Sequence, residues 1–184
     1  MRTTFAGWLV ITGMACVFGI AGAEGTGAQA LGKRLEEIGK MDEGRLLEFT
    51  AKFKGLVEKA DFKAGADGQA ALASCRMVVG ALLAHLAEAK LPADDARTVA
   101  IAETVRMFFT KVEAAHGWRM VKEGEWSDEG VQQEELLQSW MEVISKVAAL
   151  PLPKEKVLEM FTTAKGPSRN AVRARIGGGG RAVR

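Results

Sequence analysis

Glu113 and His116 stand three residues apart in Glu113-Ala-Ala-His116, which puts a carboxylate and an imidazole on one face of a helix. Di-iron four-helix bundles use this pattern twice and add two further glutamates. The only other histidine is His85, in His85-Leu-Ala-Glu88, where the order is reversed. His85, Glu88, Glu113 and His116 are therefore the metal-ligand set the chain has to offer. Against it stands a plainer reading: a solvated glutamate, and a histidine near a helix C-terminus interacting with the dipole. Met77, Met107, Met120, Met141 and Met160 are axial candidates for haem, but methionines at core spacing ordinarily pack. Covalent c-type haem is excluded because Cys-x-x-Cys-His does not occur. No cofactor is assigned.

The thiols add little chemistry. Cys75 lies between Leu72 and Val79 on an apolar stripe and reads as a buried, inert side chain. Ten residues along one helix separate it from His85, about 15 Å, too far for proton transfer. Zinc sites built on cysteines need several thiolates. With two histidines and no tyrosine, the chain shows no catalytic constellation.

The first 23 residues say where the protein works. Arg2 precedes an apolar run from Trp8 to Ile20, then Ala21, Gly22 and Ala23. A basic start, an apolar middle and an A-x-A triplet make a secretory signal, with cleavage near Ala23 and an extracytoplasmic (periplasmic or secreted) product beginning at Glu24. Two rivals are an uncleaved anchor, since Phe5–Ala23 is long enough to span a bilayer, and a lipoprotein acylated at Cys16. The lipoprotein reading is weakened by Gly13, where a Leu-like residue belongs. No second long apolar run is apparent, so no membrane span is expected in the mature chain, and only Cys75 would remain in it. One cysteine forms no internal disulfide.

Residues 24–165 read as one helical domain. Apolar residues recur at helical spacing at Leu31, Leu35 and Ile38. They do so again at Leu46, Phe49, Phe53 and Val57. The strongest stripe is Leu72, Cys75, Val79, Leu82, Leu83 and Leu86, ended by Pro92. Asp94 and Asp95 open a helix carrying Val99, Ala102, Val105, Phe108, Phe109, Val112 and Ala115, with Gly117 as its stop. Ser127 reads as the cap of a further helix through Leu136, Leu137, Trp140, Ile144 and Val147, and Pro153 as the first residue of a last one. The fold class is all-α: five or six amphipathic helices in one antiparallel bundle or irregular array. The short connector at Pro92 predicts that the helices on either side of it pair as an antiparallel hairpin.

Two segments offer contact surfaces. Residues 118–126, WRMVKEGEW, break the pattern and read as a short hairpin or a loop. Trp118 and Trp126 either plug the bundle end or, with Arg119 and Lys122, meet a partner. Residues 166–184 carry four consecutive glycines and Arg169, Arg173, Arg175, Arg181 and Arg184, with no acid. Few large apolar residues remain to offset the entropy of ordering, so this tail is expected to be disordered. The body from Glu24 to Gly166 has 19 Lys and Arg against 23 Asp and Glu, so a slightly acidic domain carries a basic arm. Such an arm suits an unknown protein or an anionic envelope surface. Sequence-specific nucleic-acid binding is not expected, since no aromatic is interleaved for stacking. The functional expectation is a non-enzymatic exported helical protein acting through protein or envelope contacts; the alternative is a periplasmic metal- or haem-binding bundle.

Overall fold

The computed structural model describes residues 35–63, 66–121 and 130–177, and their secondary structure is all helical, with no strand among them. A helical turn at 35–38 precedes α1 (Glu43–Lys59), α2 (Ala66–Ala89), α3 (Ala96–Val121), α4 (Gly130–Ala148), α5 (Lys154–Phe161) and α6 (Pro167–Gly177). The expected signal segment and cleavage site lie outside the described residues. So do Ser127 and most of the 118–126 connector.

Local chemistry sets the helix ends. Asp42 caps α1 by accepting from Arg45 N at 2.9 Å. Asp95, immediately before α3, accepts from Arg97 N at 2.9 Å. Helix α2 stops at Ala89 because Lys90 takes φ 49°, a left-handed turn usually given to glycine, and Pro92 follows. Helix α3 does not stop at Gly117. It runs on to Val121, so the first four residues of the expected hairpin are helical. A glycine ends a helix by adopting positive φ, and among the described residues only Gly166 does so; Gly117 is simply carried inside, at roughly 1 kcal/mol relative to alanine.

The order of packing differs from a hairpin bundle. Helix α3 packs most extensively on α1, and α2 on α4; the α2–α3 contact is smaller than either. Both main pairs are parallel. Lys54 meets Glu103 at 2.6 Å, Lys111 donates to Glu58 O at 3.0 Å, and His116 bonds to Phe62 O, so position advances together along α1 and α3. Arg76 meets Glu142 at 2.7 Å, and a side chain at Gly80 would strike Lys146 Nζ, so α2 and α4 likewise run together. The apolar residues expected in the core are there: Leu72, Val79, Leu82, Leu86, Val105, Phe108 and Val112 are all buried. Val99 is the exception and is exposed. Their neighbours are chosen by the breadth of each stripe rather than by connector length. Helix α3 has two adjacent apolar rows, Ile101-Val105-Phe108-Val112 and Ala102-Phe109, and so is covered on more than one side.

One segment, Gly68–Ala89, is long and apolar enough to cross a bilayer by length and composition, which the sequence reading had not found. Half of it is buried within the fold, as befits a core helix.

The expected disorder after Gly166 is overturned for residues 167–177, which form α6. Ser168 and Val172 are fully buried and Ile176 partly so, a stripe of spacing four that docks on α3, α4 and α5. Pro167 opens the helix where its missing N–H is not needed. Gly178–Arg184 lie outside the described residues.

This docking reverses the expected effect of truncation. A chain ending at Lys165 loses the Val172 side chain from the core and leaves the Trp140 indole N–H without its acceptor. Each costs about 1–3 kcal/mol. Its melting temperature should fall by roughly 10 °C. A calorimetric shift under 2 °C would show that α6 contributes nothing to the fold.

Candidate functional site

Helix α3 separates the proposed metal ligands. His85 lies near Arg97 and Asp95, at the start of α3. Glu113 and His116 lie 16 and 19 residues further on, roughly 24–28 Å along the axis. The four do not converge, and among the described residues no three His, Cys, Asp or Glu side chains group so as to hold a metal ion. Glu88 is exposed one turn from His85.

Glu113 and His116 have structural partners instead. Glu113 Oε1 accepts from Ser168 N at 2.9 Å, capping α6 from another helix, and Oε2 accepts from Thr163 Oγ1 at 3.2 Å. A carboxylate there also opposes the positive end of the α6 dipole. Ser168 is held twice, because its hydroxyl accepts from Trp140 Nε1 at 3.0 Å. Next to it Gly166 adopts φ 152°, and a Cβ there would come within 2.8 Å of Glu113 Oε2. His116 is buried with Nε2 bonded to the carbonyl of Phe62. A carbonyl only accepts, so Nε2 carries the proton.

The remaining candidates are placed as follows. Cys75 is fully buried, and burial pushes its thiol up to about 12, which leaves no thiolate for nucleophilic or metal chemistry at neutral pH. Met77 is exposed, whereas Met107, Met141 and Met160 pack against the core. Trp118 and Arg119 belong to the helical backbone of α3, but their side chains are outside the description, as are Lys122 and Trp126 entirely. Arg169 donates to Leu158 O at 2.7 Å, near the C-terminus of α5, where a cation is favoured. Arg173 and Arg175 are exposed on α6, and neither forms an ion pair with a described residue. Arg181 and Arg184 fall outside the described residues.

The strongest electrostatic cluster was not singled out from sequence. Asp95 and Arg97 form a two-pronged ion pair, 2.9 Å at Oδ1 to Nε and 2.7 Å at Oδ2 to Nη2, with both side chains mostly covered. The Arg97 hydrogen bond holds the Asp95 carboxyl down at about 2. His85 sits beside this pair. Burial first, and the Arg97 charge second, lower its pKa below the ordinary value, against the opposing pull of Glu88 and Asp95. Its Nε2 is buried without a hydrogen-bond partner. The Asp-x-Arg spacing at a helix start was the available signal, since an N-cap carboxylate two residues from an arginine readily pairs with it.

No protein family, curated protein or solved structure matches this chain.

Two outcomes follow from this geometry. Because the folded state disfavours protonated His85, the unfolded chain binds the extra proton first as pH falls through the ordinary histidine range. The His85 contribution is thus whole above about pH 6.5 and declines below it. Urea titrations at pH 7 and pH 5 should show a smaller loss for His85→Asn than for the natural chain; equal losses would place the pH dependence elsewhere. Gly166→Ala should destabilise by about 1–3 kcal/mol, since it adds both backbone strain and a clash with Glu113. An unchanged denaturation midpoint would mean that the turn before α6 tolerates a side chain.

Proposed function

We propose that this chain is an exported, non-enzymatic helical protein that acts through contacts with a protein or with the envelope surface. The observation that carries the reading is α6: a helix held against the body by Glu113, Trp140 and Val172, presenting Arg173 and Arg175 to solvent without a carboxylate partner among the described residues. Cations left unpaired on an ordered element are available to an external anion, and their position is fixed by the fold. The same contacts account for Glu113 and His116, the residues most suggestive of chemistry, as tertiary fasteners. Export rests on the N-terminal pattern, a basic residue, an apolar run and the Ala21-Gly22-Ala23 triplet. The metal- or haem-binding alternative has no observation in its favour, since its ligands lie at opposite ends of α3.

The test is expression in a secretion-competent host, followed by mass analysis and fractionation. The isolated protein should begin at Glu24, sediment with the envelope at low salt and be released by 0.5 M salt, where the Debye length falls to less than half of the roughly 10 Å it has at 0.1 M. A retained Met1 or a diacylglycerol on Cys16 would overturn cleavage at Ala23, and a protein confined to the cytoplasm would overturn export. Stoichiometric metal or haem in the isolated protein would restore the alternative.

A further inference from the structure

The outer side of α6 has a shape as well as a charge. Ser168, Val172 and Ile176 point into the body, and the opposite ridge is made of Asn170 and Ala174, both exposed and small. Arg173 and Arg175 leave the helix on opposite sides, about 160° apart around the axis across the buried stripe and about 200° across the Asn170–Ala174 ridge. Their long stems let both guanidinium groups reach past the small ridge. Arg175 also lies in the last turn, where the helix dipole favours a cation. The sequence continues with Arg181 and Arg184 and no acid.

A low ridge flanked by two cations fits a broad, flat anion better than a groove or a single phosphate. No aromatic side chain lies in Pro167–Gly177 for base stacking, which disfavours a single-stranded nucleic acid. We infer that α6 is a docking face for an anionic phospholipid bilayer, lying along the headgroups with Asn170 and Ala174 against them and Arg173 and Arg175 pairing with lipid phosphates. The inference rests on the proposed surface-contact function and names its partner. Guanidinium groups suit this role because their planar forks bind phosphate oxygens in pairs. The helix is already folded and docked, so binding does not have to order it. The attraction is then electrostatic, strongest at low salt and confined to about a Debye length.

The experiment is co-sedimentation of the full chain with vesicles of phosphatidylcholine alone or mixed with phosphatidylglycerol. The neutral vesicles measure any insertion of the apolar N-terminal segment, which is common to every variant. Phosphatidylglycerol should raise binding well above that level, and 0.5 M salt should remove the increase. The pair R173Q/R175Q should weaken the anionic increment by about 30-fold, from five- to sixfold per basic residue at a membrane surface. The pair R173K/R175K should retain most of it. As a control for net charge, K40Q/K59Q removes two exposed cations from elsewhere and should weaken it less than about threefold. Unchanged melting temperatures certify that the variants are folded. Equal binding to both vesicle types, or equal loss in the α6 and control pairs, would overturn the bilayer assignment. If the natural chain still sediments with the envelope in a salt-dependent way, the surface-contact function stands with a protein as its partner. If the chain is not exported at all, that function fails irrespective of the vesicles.

Discussion

The structure depends on the burial of α3. This helix is in contact with α1, α2, α5 and α6, and its fully buried residues Ile101, Val105, Phe108, Phe109 and Val112 cover more than one face. A helix with a single apolar stripe can be satisfied by one neighbour, whereas one with two rows must be surrounded. That requirement explains why α1 lies parallel to α3 although α2 intervenes in sequence. It also explains why α5 and α6, both short, still find apolar surface to cover. The Lys54–Glu103 ion pair on the α1–α3 seam follows this arrangement rather than causes it. Lys54 and Glu103 are substantially exposed, and pairs of that kind contribute about 1 kcal/mol or less.

Much of the fold was legible because helical periodicity is a local signal. The stripe from Leu72 to Leu86 reads directly as a helix, and Asp94 and Asp95 mark the start of α3, where Asp95 accepts from Arg97 N. Partner choice was not legible in the same way. The Pro92 connector forces α2 and α3 to run in opposite directions, but it does not dictate that they form the largest interface. The widths of the stripes decide that, and width is a property of the assembled core. The C-terminal helix was hidden by composition. Five glycines and five arginines dominate residues 166–184, and they mask the Ser168, Val172, Ile176 spacing that follows Pro167. A proline at a helix start followed by that spacing was the signal available.

The distance between His85 and the Glu113–His116 pair could have been read from the same hairpin logic. His85 is five residues before Lys90 and Arg97 is seven after it, so the two approach each other across the turn. Glu113 and His116 must then lie several helical turns away, whatever the packing of the other helices. What the turn brings together is a histidine, an arginine and an aspartate, and the result is electrostatic. The Asp95–Arg97 pair is short and largely covered, and burial beside it lowers the pKa of His85.

The Glu-x-x-His pattern still has a use, though a different one from metal binding. The two side chains project about 60° apart on the surface of α3, close enough to converge on one cation but also able to reach two separate partners. Here Glu113 holds the backbone N–H of Ser168 at the start of α6, and His116 holds the carbonyl of Phe62 in the segment after α1. One partner is a donor and the other an acceptor, which matches a carboxylate and an Nε2–H imidazole. These two backbone contacts point away from each other along the chain, so the pair serves as two fasteners rather than converging on one point. A single turn of α3 therefore fastens an early segment and the final helix of the described chain. In doing so it fixes where Arg173 and Arg175 meet the solvent.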